Sequence, residues 1–190
     1  VAVGLFAVVM VICVMALLSL VSANKKAQAL QSVMNNLNVA VDGMVRSVRM
    51  GTLYHCGQTG TYSTPLNCSG GDSFIAYKPF QEVGVTKPTV LYWFQNDTIN
   101  GKTVGRLYRS VDGTVAGGAA VTAPEVSIDI DRSRFYIFGA CPAHVLSGCT
   151  PDQVQPKLLV VIQGSAGSAK ATVISTFHIQ ATAVQRVLDI

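Results

Sequence analysis

Helix-breaking residues and charges are missing from the N-terminal part of the chain. Residues 1–23 contain no charged side chain, no glycine lies between Gly4 and Gly43, and no proline precedes Pro65. Proline and glycine are the residues that interrupt helices most strongly. Their absence argues against a broken segment, and the absence of charge is typical of a segment that crosses a membrane or is buried in an assembly.

Charge is scarce in the rest of the chain as well. Only 13% of the 190 residues are charged, 49% are apolar, and the net charge is +4. The basic residues are scattered, with no run longer than Lys25-Lys26. This pattern argues against specific nucleic-acid binding and leaves nucleic acid as a minor alternative partner. The length suits one ordinary domain with one appended element.

The N-terminal residues predict one long helix. A helix over residues 1–23 would span roughly 30 Å at the standard rise, enough to cross a bilayer core. Beyond it, apolar residues recur at three- and four-residue steps through Val48, with polar residues between them. We therefore expect a continuous helix from about residue 3 to about residue 49, apolar on all sides over 1–23 and amphipathic over 24–50. Gly51 is the predicted stop signal. A signal peptide fits poorly, because the apolar run is long and no basic segment precedes it.

The remaining residues, 51–190, predict a β-rich globular head. Short β-favouring runs alternate with turn residues, and the connections are too short for helical crossovers, so we expect an antiparallel sheet packed on the helix. The fold class is therefore α+β. Hairpin loops are predicted at 96–101 and 164–168. The candidate strands are residues 74–77, 90–95, 104–111, 126–130, 135–138, 158–163 and 171–180.

Five cysteines suggest an oxidising compartment. Cys13 lies in the apolar segment, and the other four form two close pairs, Cys56/Cys68 and Cys141/Cys149. An even number in the head favours two disulfides, with Cys13 reduced. Zinc is the rival interpretation, but the short C-x-x-C spacing of zinc knuckles is absent. Local pairing is the simplest of the three possible connectivities.

Candidate catalytic and ligand motifs are all incomplete. Residues 164–170 resemble a phosphate loop, but Ala169 and Ala171 replace its second glycine and its hydroxyl. The start of residues 129–140 resembles a calcium-binding loop, but the glycine and the closing glutamate of such a loop are absent. This leaves a weak surface ion site as an alternative to a turn. A zinc site from His55, Cys56, Cys141 and His144 would need two distant loops to meet. We therefore predict no catalytic, cofactor or metal residues, and no enzyme activity.

The order of elements resembles a known family. A helix that is apolar and then amphipathic, followed by a β-rich head with paired cysteines, is similar to the type IV pilins and to the pseudopilins of type II secretion. Residues 36–49 (NLNVAVDGMVRSVR) and 51–57 (GTLYHCG) resemble the lower helix and its exit in such subunits. The closing residues, from FHIQ at 177–180 to QRVLDI at 185–190, resemble their last strand.

One family motif is missing. The processing site of the family is a glycine followed by Phe-Thr-Leu-Ile-Glu or a near variant, whereas Gly4-Leu5-Phe6 is followed only by apolar residues. We therefore expect the chain as printed to begin several residues inside the mature protein. The glutamate that the family pairs with a neighbour's amino terminus has no counterpart in residues 1–23.

The resemblance implies a structural function. It implies a homopolymeric filament at the cell surface that serves adhesion, twitching motility or uptake. Before assembly each subunit would sit in the cytoplasmic membrane and meet the pilus assembly machinery, and the filament would meet a host or partner cell surface. A minor pseudopilin of a secretion machine and a membrane-anchored, non-polymerising binding domain are the alternatives. The side chains expected to pack the filament core are Val3, Phe6, Val9, Met10, Cys13, Leu17 and Leu20.

Overall fold

The chain folds as a long helix joined to an antiparallel β-structure. The computed structural model describes residues 2–80, 87–141, 149–152, 154–167 and 174–186. The elements are α1 (Ala2–Arg49), β1 (Thr52–Cys56), β2 (Cys68–Asp72), β3 (Phe74–Lys78), β4 (Val90–Ile99), β5 (Lys102–Ser110), β6 (Ala119–Ala120), β7 (Val126–Ile128), β8 (Arg134–Phe138), β9 (Lys157–Gly167) and β10 (Ile174–Val184). The α+β class predicted from the sequence is confirmed.

Helix α1 is continuous, as the absence of breakers predicts. Its 48 residues extend over roughly 72 Å at the standard rise. The second half buries one stripe whose members are spaced by three and four residues, which is the spacing of a single helix face. The buried side chains of that stripe are Val33, Leu37, Ala40, Val41, Met44 and Val48.

The strands form two antiparallel sheets. The first sheet has the order β1-β3-β4-β5-β6, and the second has the order β10-β9-β8-β2, with β7 pairing on β9. Strands β9 and β10 pair over all eleven residues of each, from Gly167 opposite Ile174 to Lys157 opposite Val184. Chain neighbours that pair directly need only tight connections, which is why the antiparallel order follows from the short linkers.

The main core lies between the helix stripe and the inner faces of both sheets. Ile75 and Tyr92 of the first sheet and Phe135 and Val160 of the second sheet are almost fully buried there. The rings of Phe94 and Phe135 stack with their centroids 4.5 Å apart and so join the two sheets. Aromatic pairs of this kind add to the stabilisation by burial alone.

A second, smaller core covers the outer face of the first sheet. Phe74, Ala76, Leu91 and Trp93 form it. The ring of Tyr62 stacks on Phe74 at 5.4 Å, and Trp93 in turn stacks on Tyr108 at 5.4 Å. Because this sheet is covered on both faces, its central strands are apolar without alternation.

Both predicted hairpin loops need correction. Residues 96–101 were expected to form a loop, but Asn96 and Asp97 lie in β4 and pair with β5. The turn consists of Asn100 and Gly101 alone, with φ of 52° and 74°, as a two-residue type I′ turn requires. Gly164 and its neighbours through Gly167 likewise belong to β9 rather than to a loop.

The sequence pattern did not predict three of the described strands, and one predicted strand lies partly outside the described residues. Strands β1, β2 and β6 were not predicted. Residues 171–173 of the predicted strand 171–180 lie outside the described part of the chain, whereas 174–180 form part of β10. Positions 187–190 of the closing segment also lie outside it.

Hydrogen bonds from the head satisfy the C-terminal end of α1. The hydroxyl of Tyr54 lies 2.7 Å from the carbonyl oxygen of Val48 and 2.8 Å from that of Gly51, and its hydrogen is shared between them. The backbone N–H of Arg186 donates to the carbonyl oxygen of Arg49 at 2.8 Å. The last carbonyls of a helix have no partner within it, so these donors supply what the helix cannot.

Gln185 adds a further bond at the same place. Its side chain is buried, and its Nε2 donates to the carbonyl oxygen of Gly51 at 3.0 Å. Its own backbone N–H donates to Pro156. Residues from the first strand of the head and from the segment after its last strand therefore hold the helix exit in place.

Gly51 is required for space rather than for its backbone freedom. The helix ends at Arg49, close to the predicted stop, but Gly51 is not among the glycines with positive φ. A Cβ at this position would lie 2.5 Å from Cδ2 of Tyr77. Contact at that distance requires the buried Tyr77 ring to move.

We expect Gly51→Ala to lower the free energy of unfolding by about 1–3 kcal/mol, because it overpacks the helix exit. Gly43→Ala is the matched control, since Gly43 lies on the exposed side of α1 with no atom within 4 Å of a built Cβ. It should raise the free energy of unfolding by about 0.5–1 kcal/mol through helix propensity. Chemical unfolding of the full chain in detergent micelles, followed by Trp93 fluorescence, measures both. Equal effects of the two substitutions would contradict the packing argument.

Because of the buried hydroxyl of Tyr77, we expect the protein to lose stability at alkaline pH. This hydroxyl lies 2.6 Å from the hydroxyl of Ser47 on α1, and burial, together with neighbouring Tyr92, raises the pKa of Tyr77 above its ordinary value. The folded state holds this proton more tightly than the unfolded state does. The contribution of the hydroxyl to the free energy of unfolding is therefore complete below about pH 10, the ordinary pKa of tyrosine, and is lost as pH rises above it. Tyr77→Phe should be less stable than the parent chain at pH 7 but should lose stability less steeply above pH 10. Thermal midpoints from pH 7 to 12 test this, and parallel curves for the two proteins would refute it.

Candidate functional site

The N-terminal half of α1 presents an uncovered apolar surface. Fourteen large apolar side chains between Val3 and Val21 are exposed, with exposed fractions from 46% to 82%. Every residue predicted to pack a filament core lies on this surface in the single chain. The fourteen are Val3, Leu5, Phe6, Val8, Val9, Met10, Val11, Ile12, Val14, Met15, Leu17, Leu18, Leu20 and Val21; the predicted Cys13 is exposed as well.

This surface surrounds the helix on all sides. Five consecutive residues from Val8 to Ile12 are each about half exposed or more. Successive residues are displaced by about 100° around a helix axis, so five in a row cover every direction. A helix that is apolar all round requires lipid or protein on all its sides.

Helix α1 is long enough and apolar enough to cross a membrane. The most apolar 18-residue window of this helix has a mean hydropathy of 2.9, and none of that window is buried against the described residues of the head. By these criteria α1 fits a membrane anchor or a signal sequence. The second half of the same helix packs on the head without any intervening linker.

Both cysteine pairs of the head are joined as disulfides. Cys56 is bonded to Cys68 and Cys141 to Cys149, with Cα–Cα distances of 5.8 and 6.0 Å. The first bond links β1 in one sheet to β2 in the other. Cys56 and Cys141, the two cysteines of the zinc alternative, are therefore each oxidised in a disulfide and offer no thiolate to a metal.

His55 has a structural environment. It is buried, with Nδ1 2.7 Å from the carbonyl oxygen of Thr64 and Nε2 3.0 Å from that of Thr59. Both ring nitrogens thus face the segment between β1 and β2, whose two ends are joined by the first disulfide. His144, the other histidine of the zinc alternative, lies outside the described residues.

The carboxylate of Asp129 organises a turn. Its Oδ1 accepts the backbone N–H groups of Asp131 and Arg132 at 3.1 and 3.2 Å. Among the described residues, no group of three or more His, Cys, Asp or Glu side chains could hold a metal. The geometry here is that of a carboxylate-capped turn.

A small open cavity lies beside this turn. It has a volume of about 220 Å³ and is lined by residues that include Asp129, Arg132, Gln163 and His178. Asp129 and Arg132 form an exposed ion pair at 3.7 Å. The sequence pattern did not indicate this cavity, because its walls come from separate strands whose polar residues are unremarkable in isolation. The phosphate-loop resemblance did not indicate this cavity either. Gly164 borders the cavity as part of β9, and residues 168–170 lie outside the described part of the chain.

Comparison with protein-family models, curated proteins and solved structures returned no match.

The disulfide assignment makes a direct prediction. A non-reduced proteolytic digest should contain the linked peptides Cys56–Cys68 and Cys141–Cys149, and Cys13 should react with maleimide in detergent. Reduction should lower the free energy of unfolding of the head by roughly 2–3 kcal/mol for each bond, because each closes a short loop. Mass spectrometry and unfolding with and without reductant measure these quantities. Cross-paired peptides, or four free thiols, would overturn the assignment.

Proposed function

We propose that this chain is the structural subunit of a type IV pilus-like extracellular filament. The observation that carries the proposal is the helix whose first half is apolar and exposed on all sides and whose second half is built into the head. In the filament, the first halves of many copies form the core and the heads lie outside. The chain acts by assembly and not as an enzyme.

Burial of the exposed half of α1 supplies the driving force. Full burial of one large apolar side chain stabilises by about 1.5–3 kcal/mol relative to water. Lipid covers the same surface equally well, so a bilayer is a suitable location for the subunit before assembly. Outside a membrane the surface requires other protein, and a second copy of the same helix has the matching composition.

The direct connection between helix and head favours a filament over a flexible tether. A membrane anchor that only localises a domain is commonly followed by a polar, flexible linker. Here the helix exit is held by the Tyr54 hydroxyl and by Gln185. A fixed head can set a repeated position relative to its neighbours, which a polymer needs.

The setting proposed for this function rests on the disulfides of the head and on the resemblance to type IV pilins. Disulfides in the head suit an oxidising compartment outside the cytoplasm. We infer insertion in the cytoplasmic membrane first, then extraction by a pilus assembly machinery, and then exposure at the cell surface. There the filament would serve adhesion to a host or partner cell, twitching motility or uptake.

Two alternatives share the same helix. A minor pseudopilin of a type II secretion-like machine would polymerise into a short, internal structure, and a membrane-anchored binding domain would not polymerise at all. Shearing cells that express the chain and imaging the supernatant by electron microscopy separates them. Long filaments that carry the head support the pilus-like function, and chain found only in the membrane fraction contradicts it.

Charge in the exposed half of α1 should abolish assembly. We expect Val11→Asp or Leu17→Asp to remove sheared filaments, because an unpaired carboxylate in an apolar core costs several kcal/mol. Val111→Asp is the matched control, since Val111 is a head valine 54% exposed, against 52% for Val11. Immunoblots of sheared and membrane fractions give the measurement. Normal filaments from Val11→Asp would count strongly against a core made of this helix.

A further inference from the structure

The charges on α1 are few and are segregated along its length. Lys25 and Lys26 follow directly on the uncharged first half, and Arg46 and Arg49 lie near its end. Asp42 is the sole acidic residue among the first 71 positions of the chain. A single carboxylate in a basic stretch is well suited to pair with a cation at a defined position.

These charges have no partner within the described part of the chain. Asp42, Lys25 and Lys26 are all exposed, and the ion pairs among described residues involve other side chains. Arg46 is one helical turn from Asp42, yet no ion pair joins the two in the described structure. Within one chain Asp42 cannot reach the lysines, because 16 residues of straight helix separate Asp42 from Lys26 by roughly 24 Å.

We propose that Asp42 of one copy pairs with the Lys25-Lys26 pair of a second copy. This proposal rests on the filament function proposed above and specifies one of its contacts. All helices in such a filament point the same way, so the pairing fixes the axial offset between the two copies. That offset is 16 or 17 residues, or roughly 24–26 Å.

An exposed apolar side chain fits the same offset. Val39 lies on the exposed side of the amphipathic half, and 74% of its surface is uncovered. Shifted by 16 or 17 residues, it lies level with Ser22 and Ala23 of the second copy, the last turn before the lysines. The apolar residue thus meets the uncharged segment where the carboxylate meets the cations.

The pairing also gives the two lysines a partner after the subunit leaves the membrane. In a bilayer, lysines at the end of a spanning segment place their ammonium groups near the lipid phosphates. On leaving the membrane they lose these anions. A carboxylate on the neighbouring copy replaces them beside an apolar core, where an unpaired charge is unfavourable.

Zero-length cross-linking of unaltered filaments tests the contact directly. A carbodiimide activates a carboxylate and joins it as an amide to an amine in contact with it. Digestion and mass spectrometry should find Asp42 linked to Lys25 or Lys26, and the roughly 24 Å separation within one chain makes that link intermolecular. Absence of this link from intact filaments, with other carboxylate–amine links present, would overturn the proposal and leave the filament function standing.

Charge reversal gives an independent measurement. Asp42→Lys should lower the yield of sheared filaments by on the order of tenfold or more, as expected where a close opposite-charge contact becomes repulsive. Asp131→Lys, at an exposed position of the head, is the matched control and should leave the yield unchanged. Unfolding in detergent confirms that both variants keep a folded head. Equal filament yields from Asp42→Lys and the parent chain would refute the pairing, and failure of the unaltered chain to form filaments would refute the filament function and this contact with it.

Discussion

The need to find partners for the last carbonyl oxygens of α1 is the constraint on which the rest of the structure depends. A helix end inside a folded head must find donors outside the helix. Tyr54 supplies its hydroxyl from β1, and Arg186 supplies its backbone N–H from the residues after β10. The helix therefore leaves the head in one direction and without a linker. This fixed exit is what gives the exposed apolar half a defined position relative to the head.

The two halves of α1 have different surroundings, although they form one continuous helix. In the second half, residues such as Leu37 and Met44 are fully buried against the sheets, so the helix is part of the core of the head. In the first half the same helix is apolar in every direction and packs on nothing in the described part of the chain. Backbone hydrogen bonding within the helix makes such a segment compatible with lipid and with a bundle of identical helices alike. The proposed passage from membrane to polymer would therefore require no refolding of α1.

The sequence predicted the elements whose information is local. Periodicity and the missing breakers defined α1, and apolar runs defined the central strands. Strand β2, which reads CSGGD, has no strand pattern and exists because it pairs with β8 and is tied to β1 by the Cys56–Cys68 bond. Asn96 and Asp97 are turn formers by composition, but pairing with β5 overrides that preference. The bond from Gln185 to Gly51 joins residues 134 positions apart, so no local pattern could indicate it. The apolar surface was predictable because it consists of consecutive residues, whereas the cavity beside Asp129 was not.

Reconstruction of the sheared filament by electron cryo-microscopy tests directly whether the exposed half of α1 forms the core of a homopolymer. We expect a central bundle of parallel helices over residues 2–23, with each head outside and its helix exit unchanged. We also expect α1 to remain helical through the bundle, because no glycine or proline eases its interruption between Gly4 and Gly43. A filament whose axis is built from heads, with α1 on the outside or still in lipid, would contradict this arrangement.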